Sequence, residues 1–151
     1  GLSSLQFTNE EITEDNRDFL KELPQELRLE MEDYTALVVH GSPRKLNEYL
    51  YSDSEEVQEV TAELEDDILI CGHTHLPYHK VINGKHVINA GSIGKPKHGN
   101  SNGIYTIIEV EGKTVKTEFI EVAYLVEKVT AKIKETDLAD ELIEVLQTGN
   151  G

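Results

Sequence analysis

The sequence predicts an α/β fold with a mixed sheet, and three observations carry that expectation. Two continuous apolar runs, YTALVVH (34–40) and DILIC (67–71), read as strands buried on both faces. A helical stretch with one apolar face lies between them. Two hairpin patterns and two helical patterns follow, which adds antiparallel pieces to the strand–helix–strand unit.

Each element has its own local signal. Thr8 and Glu11 have capping-box spacing, and Ile12, Phe19, Leu20 and Leu23 form a loose apolar stripe; together they predict one short helix stopped by Pro24. Leu27, Leu29 and Met31 alternate with charged residues, the pattern of a strand with one wet face. The first apolar run ends abruptly at His40-Gly41-Ser42-Pro43. Ser54 starts a helix whose Val57, Val60 and Leu64 share a face. DILIC ends at Gly72-His73-Thr74-His75. HKVI and KHVI flank Asn83-Gly84, a strong type I′ hairpin signal, and GIYTIIEV and KTVKTEFIEV flank a second turn at Glu111-Gly112. Helical patterns over roughly 124–135 and 137–148 follow. No repeat, low-complexity stretch or linker divides the chain, so residues 1–151 read as a single domain.

At 151 residues, 38% hydrophobic and 28% charged, the chain has the make-up of one globular core. Its formal net charge of −15 repels phosphate backbones, which excludes nonspecific nucleic-acid binding unless metal ions intervene. A single cysteine, Cys71, rules out an internal disulfide and suits a reducing compartment. No apolar run approaches the length of a membrane span, and GLSSLQFTNEE lacks the basic-then-apolar order of a signal segment. The expectation is a cytoplasmic protein with no membrane or nucleic-acid partner. Self-association into a homo-oligomer is compatible with all of this.

Both buried strands finish in histidine. In layered α/β folds, ligand sites gather beyond the carboxyl ends of the strands. His40 follows ALVV, while His73 and His75 follow DILIC across Gly72. An i, i+2 pair leaving an extended strand projects both imidazoles from one edge, and Gly72 removes a side chain that would crowd the approach. Neutral imidazole ligates Zn, Mn, Fe or Ni near neutral pH, so three histidines from two strand ends read as a shared metal site. A lone His-x-His is more often incidental; the joint placement singles this one out. His79 and His86 fall at polar positions of the first hairpin, where a solvated or cross-strand role is expected. His98 lies in a Gly- and Lys-rich loop and is open to either reading.

Three motifs, VVHGSP (38–43), ICGHTHLP (70–77) and INAGSIGKPK (88–97), occur in this order and at these separations. They resemble the metallophosphoesterase (calcineurin-like phosphoesterase) superfamily, particularly its small prokaryotic, YfcE-like branch. The match is firm from about residue 35 to 100 and looser on either side. The resemblance implies the C-terminal portion of a four-layer αββα sandwich, with two divalent metal ions (Mn, Ni, Fe or Zn) between its sheets. By motif position it places His40 and His73 on one metal and His75 on the other. Two such ions neutralise phosphate and activate water, which suits hydrolysis of a small phosphoester substrate. Ser92, Lys97 and His98, in or next to the third motif, are the substrate-contact candidates. Family members usually carry Pro, Gln and Arg where this chain has Ala90, Lys95 and Lys97. Lys97 would meet a phosphate as a point charge, without the bidentate fork of Arg. The opposing reading of this segment is a tight turn with solvated lysines.

The family's Asp-x-His, Gly-Asp and Gly-Asn-His (or Gly-Asn-x-Asp) motifs, one of which supplies the bridging carboxylate, have no counterpart here. Asp66 and Asp67 begin the strand whose far end carries His73, so they cannot substitute. The expectation is a chain that lacks the N-terminal half of the domain, supplies only the C-terminal half of the dinuclear site, and has little activity alone. Its first partner would be that missing half. Two divalent cations held only by imidazoles would repel each other with no anion between them. Two further readings stand beside this one. A non-catalytic scaffold on the same fold is one, as in a retromer subunit whose site is degraded, although retention of all three histidines speaks against it. The other is a mononuclear zinc protein with three histidines and a water. Cys71 reads as a core thiol, and the acidic runs EEITED and EVQEVTAELEDD as solvated helix faces. Ser92 has no base at a motif spacing, so serine-hydrolase chemistry is not expected.

Overall fold

A computed structural model describes residues 2–151 of the chain. Helices α1 (Leu2–Glu11) and α2 (Glu14–Glu22) precede a five-stranded sheet made of β1 (Glu26–Met31), β2 (Tyr34–Val39), β3 (Ile68–Cys71), β4 (Tyr78–Ile82) and β5 (Lys85–Asn89). The spatial order is β1-β2-β3-β5-β4. β2, β3 and β5 are parallel neighbours, and β1 and β4 pair antiparallel at the two edges. The sheet is therefore mixed. Parallel strands cannot be joined by a tight turn, and the path from β2 to β3 runs through a long loop and α3 (Glu55–Glu63). The Ser54 side chain accepts the Val57 N–H at 3.4 Å and caps that helix.

Alternation along the central strands gives the sheet two apolar faces. On one side, Leu37, Leu69, Cys71 and Val87 pack with Val57 and Val60 of α3 and with Leu50. On the other, Ala36, Ile68 and Ile88 meet Val115, Ile108 and Val110 of a two-stranded sheet, β6 (Gly103–Glu111) and β7 (Thr114–Val122). Two short helices, α4 (Val126–Ile133) and α5 (Glu141–Thr148), pack on each other after it. Among the described residues no helix is long and apolar enough to cross a membrane.

Three local expectations are corrected. Thr8 does not cap a helix; it lies inside α1, where its hydroxyl donates to the Ser4 carbonyl at 2.9 Å. The N-cap is Thr13, whose side chain accepts from Asn16 N–H. The apolar stripe exists but is unpacked, since Phe19, Leu20 and Leu23 are exposed, as are Leu27 and Leu29 on the edge strand β1. The second hairpin turns at Gly112-Lys113, because Glu111 is already paired with Thr114.

Because β2, β3 and β5 are parallel, their carboxyl ends share one edge of the sheet. His40, the Gly72–His75 turn and the segment after Asn89 all lie along that edge. The three motifs are brought together by topology.

Candidate metal centre

The parallel pairing continues past the strands, since the Gly72 N–H donates to the His40 carbonyl at 2.8 Å. Beyond that bond the two rings meet. His40 Nε2 lies 3.0 Å from His73 Nδ1, with ring centroids 4.9 Å apart and planes inclined by 66°. Tyr49 covers the His73 ring at a centroid distance of 4.2 Å. His75 is engaged elsewhere: its Nδ1 lies 2.6 Å from the Lys95 carbonyl oxygen. A carbonyl only accepts, so Nδ1 carries the proton and Nε2 keeps its lone pair for a ligand.

The turn bearing these histidines is not extended backbone. His73 and His75 both adopt left-handed conformations, with φ of 62° and 65°. The same-edge argument for an i, i+2 pair on a strand therefore fails here, since β3 ends at Cys71. A left-handed residue without glycine costs on the order of 1–3 kcal/mol and persists only where its surroundings over-determine it. Asn89 provides much of that restraint. Its buried Nδ2 donates to the Gly72 carbonyl at 2.6 Å and to Thr74 Oγ1 at 3.0 Å, and its Oδ1 accepts from Gly91 N–H. Gly72 does not relieve crowding, because a Cβ there would make only an ordinary 3.6 Å contact with the His40 carbonyl. The tight position is Gly41, where a Cβ would lie 2.5 Å from the Leu46 carbonyl. That close approach folds the loop after β2 back toward the histidines, and Ser42, bonded to Glu48 and to the Arg44 and Lys45 N–H groups, fixes it.

The electrostatics suit neutral imidazoles. Burial, reinforced by the neighbouring His40 ring, holds His73 below its usual pKa. Burial also lowers His75, against an opposing contribution from its bond to Lys95. The charge of Lys97 adds a small lowering contribution at both rings. Ser92 uses its hydroxyl to accept the Lys95 N–H at 2.9 Å, a turn-stabilising role. Among the described residues, both ring nitrogens of His98 are buried without a hydrogen-bond partner. His79 and His86 form a separate pair, Nε2 to Nδ1 at 2.9 Å, with His79 Nδ1 3.1 Å from Thr117 Oγ1 of β7. Theirs is the cross-strand role expected for them. Asp66 pairs with Arg28 at 2.6 Å and Asp67 accepts from Thr35 N–H, so both carboxylates are spent on structure. Cys71 is buried, and its thiol is pushed up to about 11 by that burial.

The donor set fits a metal in part. Two nitrogens on one tetrahedral zinc, each about 2.0–2.1 Å from it, stand roughly 3.3 Å apart, close to the His40–His73 separation. Yet among the described residues no group of three or more His, Cys, Asp or Glu is placed to hold a metal. That removes geometric support from the reading with three histidines on one zinc.

With this geometry in view, the comparisons with known proteins are direct. The family model described as the calcineurin-like phosphoesterase superfamily domain matches residues 9–113. The chain belongs to that superfamily. Members of this superfamily generally bind divalent metals, and membership supports phosphoester hydrolysis as a class of chemistry. A Methanocaldococcus jannaschii protein is 27% identical over 166 residues, covering 99% of this chain and 66% of that relative. A probable metallophosphoesterase of Bacillus subtilis is 28% identical over 112 residues, covering 74% of this chain and 63% of its own length. The crystal structure of a hypothetical protein from Pyrococcus horikoshii superposes with a TM-score of 0.81 at 26% identity, over 96% of this chain and 58% of that one. A metallophosphoesterase from Sphaerobacter thermophilus shares the fold, with a TM-score of 0.79 at 24% identity over 95% of this chain and 65% of that one. The chain thus spans 58% to 66% of the length of these relatives.

Sequence reasoning quoted the motif containing Asn89 without giving that residue a task. It also passed over Tyr49. The available signal was the alternation Tyr49-Leu50-Tyr51 inside a segment with no helical or strand period.

Proposed function

We propose that this metallophosphoesterase chain supplies imidazole ligands to a dinuclear centre that hydrolyses a small phosphoester. His40 and His73 would hold one divalent metal ion and His75 the other, with Mn, Ni, Fe or Zn as candidates. The single observation that carries the reading is the 3.0 Å approach of two histidine nitrogens beyond adjacent parallel strand ends. Bound metals would supply charge neutralisation and water activation. The chain's own residues do the rest. The Lys95 carbonyl orients the His75 ring, Tyr49 shields His73, and Lys97 of the third motif would offer a cation to the phosphate.

The centre needs carboxylates that the residues around it do not provide, so the chain contributes part of the ligand set and has little turnover by itself. The test is hydrolysis of bis(p-nitrophenyl) phosphate by the purified chain with Mn²⁺, beside a His75→Ala control. Near-background rates in both are expected. Robust turnover that vanishes in the control would overturn the claim that ligands are missing. A scaffold role has no specific observation in its favour.

A further inference from the structure

Beside the histidine centre lies a second chemical feature, a row of three rings. Tyr49 covers His73 at 4.2 Å between centroids, and Tyr51 lies parallel to Tyr49, at 5.8 Å and an interplanar angle of 6°. Both tyrosines stay 44–45% exposed, although each offers a large apolar ring. The local sequence explains how they are held. Along this irregular segment the buried residue is Leu50, and the tyrosines on either side of it face outward. Leu50 points inward, 0% exposed, and packs in the core with Leu37, Val57 and Leu69. Its carbonyl accepts the Tyr78 hydroxyl at 2.8 Å, which ties the segment to β4. Burying Leu50 leaves the Tyr49 and Tyr51 rings on the outside, next to the metal histidines.

Tyr49 and Tyr51 thus present two parallel rings to solvent beside His73. We infer that Tyr49 and Tyr51 form a stacking ledge for a planar ring carried by the substrate, which selects nucleoside phosphoesters over sugar or alkyl phosphoesters. The inference rests on the reading of His40, His73 and His75 as the phosphoester centre and names its substrate class. Every nucleobase has a π-face, and tyrosine stacks on it without hydrogen-bond readout, so the ledge favours bases as a class. His73 joins the two halves: its ring is covered by Tyr49 at 4.2 Å, and its Nδ1 lies 3.0 Å from His40 Nε2. A ligand with its phosphate at the histidines and its ring on the tyrosines would use both. The overall charge of −15 makes this ring contact more important, because a phosphate alone is opposed by the protein's field.

The test is equilibrium binding of AMP and of ribose 5-phosphate to the full chain by calorimetry, with and without Mn²⁺. The two ligands share the phosphorylated sugar and differ by the base. AMP is expected to bind roughly tenfold more tightly, the contribution of one stacked base. Tyr51→Leu should reduce AMP toward the ribose 5-phosphate level and leave ribose 5-phosphate unchanged, while Tyr49→Leu, which also uncovers His73, should reduce the preference for AMP over ribose 5-phosphate. Tyr51→Phe, which keeps the ring, should preserve the preference and serves as the control for folding. Equal affinities in the unaltered chain, binding of neither ligand, or a preference that survives both leucine substitutions would overturn the ledge. Metal-induced shifts of the His40 and His73 imidazole signals report separately on the phosphoester centre, so either reading can fail while the other stands.

Discussion

Asn89 Nδ2 donates to the Gly72 carbonyl at 2.6 Å, which ties the end of β5 to the turn that carries His73 and His75. The bond crosses between neighbouring parallel strands and is buried together with Asn89's second donation, to Thr74 Oγ1 at 3.0 Å. Asn89→Ala leaves the Gly91 N–H without a partner and takes one bond each from the Gly72 carbonyl and the Thr74 hydroxyl, which keep the Thr74 and Leu76 N–H groups. An orphaned donor costs about 1–3 kcal/mol and each lost hydrogen bond about 0.5–1.5 kcal/mol, less where water enters, so a total loss of roughly 3 kcal/mol is expected. Urea denaturation of the metal-free chain measures it. Asn89→Asp keeps the acceptor for Gly91 and loses the donors, so it should fall by a similar amount. A loss below 0.5 kcal/mol in both, about the least one hydrogen bond contributes, would show that the turn is held by something else.

The second prediction concerns how the histidines respond to metal. His40 and His73 face each other, while the Nδ1 of His75 is tied to Lys95. Titration with Zn²⁺, followed by imidazole NMR signals, should move His40 and His73 together. His40→Ala or His73→Ala should weaken that event by roughly 10–100-fold, at least the loss seen when a ligand's supporting partner is removed. His75→Ala should leave it in place. Movement of all three signals in a single step, abolished equally by all three substitutions, would restore the site with three histidines on one metal.

Legibility followed the range of the physics. The buried strands were plain because continuous apolar runs survive in sequence whatever their neighbours do, and both histidine-bearing ends followed from them. The Asn83-Gly84 turn was plain because φ is positive at both residues, which that pair tolerates. Features that depend on a partner distant in the chain were hidden. The left-handed backbone at His73 and His75 requires Asn89 from another strand, and no spacing rule encodes it. Thr8 matched a capping box, yet α1 had already begun upstream and absorbed it. Phe19, Leu20 and Leu23 formed a stripe with nothing packed on it, which periodicity alone cannot reveal.

The third prediction lies at the far side of the candidate substrate loop. Gly149 has φ of 67° and accepts the Gly99 N–H at 2.9 Å, next to Lys97 and His98. A Cβ at Gly149 would collide with the backbone of Asn100, and the left-handed conformation adds a further cost. Gly149→Ala should therefore release the loop while leaving the five-stranded sheet intact. Amide hydrogen exchange at Gly99 should speed up by at least about tenfold, the equivalent of 1.4 kcal/mol of lost local stability, with little change in the β2–β3 amides. Unchanged exchange at Gly99 would mean that the contact does not hold the loop.

The last prediction is the pH dependence of stability. His73, His75, His79 and His86 all have folded pKa values below the ordinary 6.5, chiefly because burial disfavours the charged ring. Nearby rings add to this at His73 and His79, while Asp67 opposes it at His86. Above pH 7 these histidines are neutral in both the folded and unfolded chain, and they do not affect the balance. As the pH falls through 6.5 the unfolded chain takes up protons first, so folding loses stability until the folded values are reached. Carboxylates stay ionised across most of this window and contribute little slope. The melting temperature of the metal-free chain should therefore drop steadily between pH 7.5 and 5.5. Substituting His79→Gln and His86→Gln together removes two of the four groups, so the slope should shrink even if the variant melts lower at every pH. A melting temperature that rises on acidification would contradict the burial assigned to these rings. An unchanged slope in the double variant would assign the effect to His73 and His75 alone.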